Sequence, residues 1–435
     1  MKRKLLTCLL IGVCLFSGCA KGDVTGEMEN SKKVQKEDVV HKEKETKEVK
    51  VVNLTANNAT EICLDYEIKN YEPIQRFGYE LFALNTEKEN PVISPVSAYL
   101  ALALAGKGAE GETKKAFLDV LPDLECIPHD LMHNLPRDKE GMLITLNNSA
   151  WVDYRLRPKE EWLAWADSVY RSEVFQASLG ADNTYQTMNR WIEEKTNGMI
   201  DKLFEEPLSD DARLVLLNTL YFKGKWANAF EGVNTREDIF SLENGTTVNV
   251  DMMNKGNAHL LYVENKVTEG VILPYQDENM VFLALKPKKL NVREMYDKLN
   301  VEDINTMLEQ EETTLCNLKL PKFEVEFHKE LNESLKQMGL EIAFIDGAAD
   351  FSGIGIPDDG PNMYIEKVQQ KSKIVVDEEG TEAAAVTSVE MFRNASAYNP
   401  KRPIDIYFDE PFLYMIMDKE RKVPLFVGIM DNPGM

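Results

Sequence analysis

At residues 378–392 the chain reads EEGTEAAAVTSVEMF, which alternates in the way that a β-strand does. Uncharged residues occupy one face of the pattern: Thr381, Ala383, Ala385, Thr387, Val389 and Met391. The glutamates Glu382 and Glu390 fall on the other face. A slip of one residue would move both glutamates to the first face, so the pattern specifies a register in which that face is buried.

This strand-like pattern lies in a segment that otherwise reads as a loop. It opens on Gly380 and runs into RNASAYNPKRPID (393–405), which contains two prolines. Residues 381–410 separate Gly380 from Pro411, and loops of that length are rare in compact domains unless they carry a function. The alternative is that the alanine run is a helical or filler stretch.

The first residues predict export. The basic start MKRK precedes an apolar run from Leu5 to Phe16, which is too short to cross a membrane. LFSGC (15–19) resembles a bacterial lipoprotein box. We therefore predict a signal peptide over residues 1–18 and a lipid on the thiol of Cys19. The alternative is plain secretion after cleavage near the same site.

Two regions follow the signal peptide. Residues 19–62 carry dense mixed charge and few aromatic residues, which predicts a flexible tether behind the lipidated Cys19. Residues 63–435 show no shift in composition and no internal repeat, which predicts a single domain. Helical patterns come mostly first in this domain and strand patterns mostly later, so the predicted fold class is α+β.

The cysteines do not form a disulfide framework. Cys8 and Cys14 leave with the signal peptide, and Cys19 is the predicted lipid site. The exported body then keeps Cys63, Cys126 and Cys316. An odd number in so large a body predicts buried free thiols, with one pairing as the alternative.

Composition excludes some classes of partner. The chain is 43% hydrophobic and 28% charged, as is usual for a soluble globular protein, and its net charge is −23. That charge argues against binding to nucleic acid or to an anionic membrane surface.

No motif predicts catalysis or a cofactor. None of the five histidines forms HExxH, and the chain has neither G-x-S-x-G nor a P-loop. His129 and His133 have the i, i+4 spacing of helical metal ligands, but Pro128 and Pro136 bracket them and no third ligand has a recognisable spacing. We expect no metal site there.

Several motifs, in order, resemble those of one family. They are SPVSAYLALALAGKGAEGET (94–113), LLNTLYFKGKWANAF (216–230), LKLPKFEVEFHKELNESLKQMGLEIAF with DFSGI (318–354), EEGTEAAAVT (378–387) and FDEPFLYMIMD with PLFVGIMDNP (408–433). Together they resemble the serpins over about residues 66–433. The resemblance implies an α+β fold of roughly eight or nine helices and three β-sheets, the largest of which can accept the reactive loop as an extra strand.

The resemblance also assigns a role to the opening segment. Residues 378–405 or so would be the reactive-centre loop, which a protease cuts and which then inserts into the central sheet with the acyl-enzyme attached. The loop hinge would comprise Glu378, Gly380, Thr381, Ala383, Ala384 and Ala385. Small residues there would let the chain bend and slide between strands. Insertion of Thr381 to Arg393 corresponds to a travel of about 40 Å.

Other site residues are implied by matching positions. A polar cluster under the opening of the main sheet would comprise Ser94, Ser97, Asn218, Gln370 and Trp226. Gln370 stands where many members carry a histidine, and Gln can still donate and accept hydrogen bonds. Glu410 stands where the family usually has a basic or amide residue.

The cleaved bond is less sharply specified. Family spacing from Gly380 puts it at Arg393–Asn394 or at Asn394–Ala395. Arg393 would suit a protease with a carboxylate in its specificity pocket, Phe392 an apolar pocket and Asn394 a legumain-like enzyme. A plainer alternative is that Arg393 and its basic neighbours only solvate the loop.

The leading hypothesis is an extracytoplasmic suicide inhibitor of serine proteases, with cysteine proteases as a second target class. It would be a monomer on the bacterial cell surface or envelope, or released from it, that touches the membrane only through the lipid on Cys19 and binds no nucleic acid. The alternative is a non-inhibitory surface binding or adhesion lipoprotein with the same fold. A hydrolase would need a nucleophile–base pair that the sequence does not offer.

Overall fold

The computed structural model describes residues 50–56, 62, 68, 70–310, 313–358, 360, 363–381 and 402–434. These residues belong to one unit, Val49–Met435. The predicted signal peptide, Cys19, Cys63 and most of the reactive loop lie outside the described residues.

The described residues contain nineteen strands. In chain order they are β1 Val52–Asn53, β2 Val92–Ile93, β3 Arg137–Lys139, β4 Met142–Asp153, β5 Leu156–Pro158, β6 Ser172–Ala177, β7 Leu214–Lys225, β8 Arg236–Ser241, β9 Thr247–Glu264, β10 Thr268–Pro274, β11 Met280–Pro287, β12 Thr313–Pro321, β13 Phe323–Glu330, β14 Gly355–Pro357, β15 Gln369–Val376, β16 Gly380–Thr381, β17 Ile404–Tyr407, β18 Phe412–Asp418 and β19 Val423–Met430.

Nine α-helices accompany the strands in the described part of the chain. They are α1 Glu72–Ala83, α2 Pro95–Lys107, α3 Gly111–Val120, α4 Cys126–Asn134, α5 Glu160–Ser168, α6 Thr184–Lys195, α7 Val292–Tyr296, α8 Val301–Leu308 and α9 Asn332–Leu335. A 3₁₀ turn covers Gly232–Asn234, and α9 continues as a π turn, Lys336–Leu340, and a 3₁₀ turn, Glu341–Phe344.

The main sheet has eight strands, in the order β1-β6-β4-β7-β16-β15-β13, with β3 paired to β4. The pair β4–β6 is parallel, and β4–β7 and β13–β15 are antiparallel. The short strand β16 therefore lies between the two long strands β7 and β15.

A second sheet has nine strands, in the order β17-β12-β9-β10-β11-β18-β19-β2, with β8 paired to β9. Every residue of β18 and β19 is buried, which explains why both strands read as continuous apolar runs rather than alternating ones. The third sheet is the pair β14–β5. The predicted α+β class with three sheets and about nine helices is confirmed.

Helix α2 is buried against the sheets because nearly every face of the helix is apolar. Ser94 caps its start by accepting a hydrogen bond from the backbone N–H of Ser97 at 3.3 Å, and Pro95 occupies the first turn. The same serines belong to the predicted cluster under the main sheet.

The predicted tether is too long at its C-terminal end. Residues 50–56 are part of the body, because β1 pairs with β6 at the edge of the main sheet through Val52–Gln176 and Asn53–Phe175. Val51 and Leu54 also pack against buried apolar clusters. A short edge strand forms because the neighbouring strand offers it hydrogen bonds. The charged sequence around β1 does not indicate that such a neighbour exists.

Of the cysteines in the described residues, Cys126 and Cys316 are free; Cys316 is buried, as predicted, whereas Cys126 is only half-buried. No helix in this part of the chain is both long enough and apolar enough to span a membrane.

Candidate functional site

The hinge of the loop is already a strand of the main sheet. Gly380 pairs with Lys225 and Thr381 with Gly224 on β7, and Thr381 also pairs with Val376 on β15. The hinge therefore occupies the strand position between β7 and β15, at the end where β15 turns into the loop.

Two glycines make this position accessible. A Cβ atom on Gly380 would lie 2.0 Å from the carbonyl oxygen of Gly224, which is backbone and cannot yield. A Cβ atom on Gly224 would lie 2.8 Å from the ring of Tyr275. The close approach of the hinge to β7 therefore requires glycine at residue 380, and the packing of the Tyr275 ring against β7 requires glycine at residue 224.

Thr381 is held by its side chain as well as by its backbone. Its hydroxyl oxygen lies 2.6 Å from the hydroxyl of Tyr275, and both residues are buried. Burial raises the pKa of Tyr275 well above its ordinary value, so the phenol keeps its proton and can share it in this bond. The Tyr275 ring is stacked on Trp226, with 4.6 Å between ring centroids.

A tight turn connects β15 to the hinge. The carboxylate of Asp377 accepts hydrogen bonds from the backbone N–H groups of Glu379, at 2.9 Å, and of Gly380, at 3.1 Å. The indole N–H of Trp226 donates to the carbonyl of Asp377 at 2.9 Å. The turn is thus attached to the end of β7 and is not a free loop.

Glu378 attaches the same turn to β13 and its neighbours. Its carboxylate lies 2.9 Å from the ammonium of Lys322 and accepts a hydrogen bond from the hydroxyl of Thr235 at 2.7 Å. Burial alone would raise the pKa of Glu378, but Lys322 and Thr235 outweigh it and lower the pKa below its ordinary value. The carboxylate is therefore ionised at neutral pH.

At the opposite end of β15 the structure brings together most of the predicted polar cluster. The backbone N–H of Ser94 donates to Oε1 of Gln370 at 2.9 Å, and Nε2 of Gln370 donates to the carbonyl of Ser94 at 2.8 Å. Gln370 thus uses both the acceptor and the donor of its side-chain amide.

Asn218 belongs to the same region. It lines, with Ser94, Ser97 and Gln370, a cavity of about 60 Å³ between β7 and β15, which is large enough to hold water. Its side-chain N–H group donates to Asn148 at 2.5 Å. Its Oδ1 has no hydrogen-bond partner among the described residues.

Trp226 does not belong to this cluster. It follows the last residue of β7 and lies about 26 Å along the strand from Asn218, beside the hinge. The motif LLNTLYFKGKWANAF (216–230) runs along most of β7. Asn218 and Trp226 therefore belong to the same motif although they lie far apart in the structure.

The described residues include both ends of the loop but not its middle. Beyond the loop, β17 pairs in parallel with β12. Glu410, which departs from the family pattern, forms an ion pair at 3.0 Å with Lys286 on β11. Six predicted loop residues lie outside the described residues: Ala383, Ala384, Ala385, Arg393, Asn394 and Ala395.

The two histidines on α4 are not arranged as a pair of metal ligands. The rings of His129 and His133 are stacked, with 4.1 Å between centroids, and Nε2 of His133 donates to the carbonyl of Ser168 at 3.0 Å. Within the described ranges no three metal-ligating side chains come together.

Sequence reasoning missed several residues that hold the hinge. These residues are far apart in the chain and belong to no catalytic or ligand-binding motif: Thr235, Tyr275, Lys322 and Asp377. Lys322 belongs to LPKF (320–323), a motif that indicates the family but no role for this lysine. Its proximity to Glu378 becomes visible only once β13 and β15 are paired.

Comparisons with known proteins agree with this geometry. A family model described as Serpin (serine protease inhibitor) matches residues 72–433. An uncharacterized serpin-like protein of Thermococcus kodakarensis is 33% identical over 375 residues, which cover 83% of this chain and 85% of that protein. Alpha-1-antiproteinase F of Cavia porcellus is 30% identical over 373 residues, covering 83% and 90% respectively.

Solved structures are similar over the same region. The crystal structure of a thermophilic serpin, tengpin, in the native state has a TM-score of 0.79 at 31% identity, covering 88% of this chain and all of that one. The latent state of tengpin has a TM-score of 0.72 at 30% identity, covering 84% of this chain and 99% of that one.

Proposed function

The chain belongs to the serpin family, and on that premise we propose that it is a suicide inhibitor of serine proteases that acts outside the cytoplasm. Members of this family are generally protease inhibitors without catalytic activity of their own. The name of the relative from Cavia porcellus describes an antiproteinase, which supports the same activity for this chain.

One observation carries the proposal. The hinge residues Gly380 and Thr381 occupy a strand position between β7 and β15, so the loop that follows continues from a strand already begun. Thr381, the first residue of the uncharged face in the sequence, is buried there. A loop whose alternating pattern keeps charge off that face can extend the same strand without burying a carboxylate.

The proposed reaction begins as ordinary proteolysis. The protease serine attacks the carbonyl carbon of Arg393, the bond to Asn394 breaks, and the new amino group on Asn394 takes the proton. The loop remains joined to the enzyme as an ester. Insertion of about 13 residues then moves that ester by about 40 Å, before water can hydrolyse it.

Arg393 makes a trypsin-like protease the proposed target, because a guanidinium pairs best with a carboxylate in a specificity pocket. Cleavage at Asn394–Ala395 is the alternative bond and would fit a protease that accepts asparagine. Mass spectrometry of the cut ends, after reaction with a panel of proteases, identifies the bond.

The proposed location is the outside of a bacterial envelope, with the lipid on Cys19 as anchor. The LFSGC sequence at residues 15–19 supports it. Mass spectrometry of the chain from membranes should find a lipid on Cys19, and a Cys19→Ser variant should appear in the medium or unprocessed. An unmodified wild-type N-terminus would contradict the anchor without affecting the inhibitor proposal.

The inhibitor proposal is tested by incubating the full chain with a trypsin-like protease. We expect a covalent complex that survives SDS, together with loss of protease activity. If only cleaved chain and active protease are found, the proposal fails for that protease class, and a binding or adhesion role becomes the better hypothesis.

A matched pair of variants tests the insertion step. Thr381→Arg places a charge on the face that must be buried, and we expect it to turn the inhibitor into a substrate. Glu382→Arg changes the neighbouring residue on the outward face of the alternation and should still form the complex. Equal complex formation by the two variants would contradict insertion in this register.

A further inference from the structure

We propose that Tyr275 is a positioning residue for loop insertion, whose hydroxyl captures the hydroxyl of Thr381 as the first side chain of the inserting strand. This inference rests on the proposed function and adds a residue outside the loop to it. The observation that carries it is the 2.6 Å contact between the two hydroxyl oxygens, inside the protein rather than at its surface.

Burial makes this contact specific. Tyr275 is 0% exposed and Thr381 is 2% exposed, so neither hydroxyl can exchange its partner for bulk water. A buried hydroxyl that loses its hydrogen bond is destabilising, whereas a matched pair is not. The Tyr275 hydroxyl therefore favours the state in which a hydroxyl-bearing residue lies beside Gly224.

The surroundings of Tyr275 fix the position of its hydroxyl. The ring is stacked on Trp226 and meets Phe222 edge-on, with 5.0 Å between centroids. The backbone of Tyr275 also forms a bridge with that of Trp226, at the end of β7. A rigid hydroxyl can select one residue of an incoming strand.

The contact also selects the register. Thr381 reaches Tyr275 while its backbone pairs with Gly224 and Val376. A shift of one residue would bring to this position either Gly380, which has no side chain, or Glu382, whose charge could not be buried beside a neutral phenol. Tyr275 thus favours the register that keeps both loop glutamates outward.

Three variants of the full chain test this role. Tyr275→Phe and Thr381→Val each remove one hydroxyl at nearly constant volume, and Thr381→Ser keeps the hydroxyl. The measured quantity is the stoichiometry of inhibition, the number of inhibitor molecules consumed for each protease molecule captured. It rises when insertion is too slow to compete with hydrolysis of the ester.

We expect Tyr275→Phe and Thr381→Val each to raise the ratio of hydrolysed to captured inhibitor, which is the stoichiometry minus one, about five-fold, the factor expected for one hydrogen bond. The double variant should be no worse than either single one, because both remove the same bond. Thr381→Ser should remain close to wild type. An unchanged stoichiometry in Tyr275→Phe, or additive effects in the double variant, would overturn the proposal.

A second measurement separates this proposal from the inhibitor proposal. The free energy of unfolding of the intact chain, with no protease present, is compared between wild type, Tyr275→Phe, Thr381→Val and the double variant, because the contact already exists before cleavage. A coupling between the two single variants supports the capture of Thr381 even if wild type captures no protease. Additive effects contradict it, whatever the outcome of the inhibition assay.

Discussion

At the scale of single residues, His129 and His133 make the folded chain sensitive to acid. Burial lowers the pKa of both histidines, and the guanidinium of Arg171 lowers each further. The carboxylate of Asp130, on the same helix, raises the pKa of His129 and so partly offsets these effects. Their stacked rings mean that protonation would place two cations face to face.

The first prediction concerns this pair. Because the pKa values are lower in the folded chain than in the unfolded one, the unfolded chain binds more protons once the pH falls below about 6.5. The free energy of unfolding should therefore decrease as the pH is lowered from 7 towards 5. Urea denaturation at several pH values measures it.

A double variant, His129→Gln with His133→Gln, provides the control. It should show a flatter pH dependence over the same interval, because it has no group on α4 that titrates there. A wild-type profile that rises or stays level below pH 6.5 would contradict the lowered pKa values.

Contacts of single residues could be predicted from sequence where the family resemblance supplied their positions. The amide of Gln370 was expected to replace a histidine, and it does form a reciprocal pair with Ser94. Tyr275 could not be predicted, because it lies outside the motifs that carry the resemblance and a tyrosine at the end of an apolar strand is most often simply part of the core.

At the scale of elements, β1 connects the predicted tether to the edge of the main sheet. The backbone N–H of Leu54 donates to the carbonyl of Val174 at 2.7 Å, and the backbone N–H of Val174 donates to the hydroxyl of Thr55 at 3.1 Å. The hydroxyl of Tyr154 donates to the carbonyl of Lys50. A sheet edge that would otherwise face solvent is covered in this way.

The second prediction is that deletion of residues 20–56 lowers the free energy of unfolding by about 2 kcal/mol, through the lost burial of Val51 and Leu54. The amide of Val174 should then exchange faster with solvent, because its acceptor on Thr55 is gone. Denaturant titration and hydrogen exchange measure the two effects.

Deletion of residues 20–49 alone is the matched control. It removes most of the charged tether but keeps β1, so both measurements should remain close to those of the intact chain. If the shorter deletion is as harmful as the longer one, the stabilising contacts come from the tether and not from β1.

The long elements were predictable and the short ones were not. The apolar runs of α2, β7, β18 and β19 are strong enough to indicate helix or strand without knowledge of their neighbours. The two-residue strands β1 and β16 form only because β6, β7 and β15 offer them an edge. Such an edge exists only in the folded sheet, so the sequences of β1 and β16 alone do not indicate a strand.

At the scale of the whole molecule, the separation of β7 from β15 is the feature that matters for function. In the described residues the only strand between them is β16. Family membership implied a main sheet that can accept one more strand, and the order of strands agrees with it. The residues that would complete the strand lie outside those described, so their insertion stays a prediction.

The third prediction is that cleavage of the loop makes the chain more resistant to heat. Insertion of about 13 residues adds hydrogen bonds along two strands, with a net gain of about 10 kcal/mol. For a body of this size that corresponds to a rise in melting temperature of about 10 °C or more.

Calorimetry of intact and cleaved chain checks the rise. Thr387→Arg, cleaved in the same way, should gain much less, because it puts a charge on the uncharged face at a position beyond Thr381, which is already buried in the intact chain. If cleaved wild type melts at the temperature of the intact chain, the loop does not insert and the inhibitory mechanism is wrong.

The central place of β18 and β19 has a consequence for biosynthesis. β19 pairs with β2, and Asn90 donates a backbone hydrogen bond to Asp431, 341 residues later, at 3.0 Å. A nascent polypeptide cannot close this sheet until nearly all of it has left the ribosome. Completion of this sheet is therefore post-translational.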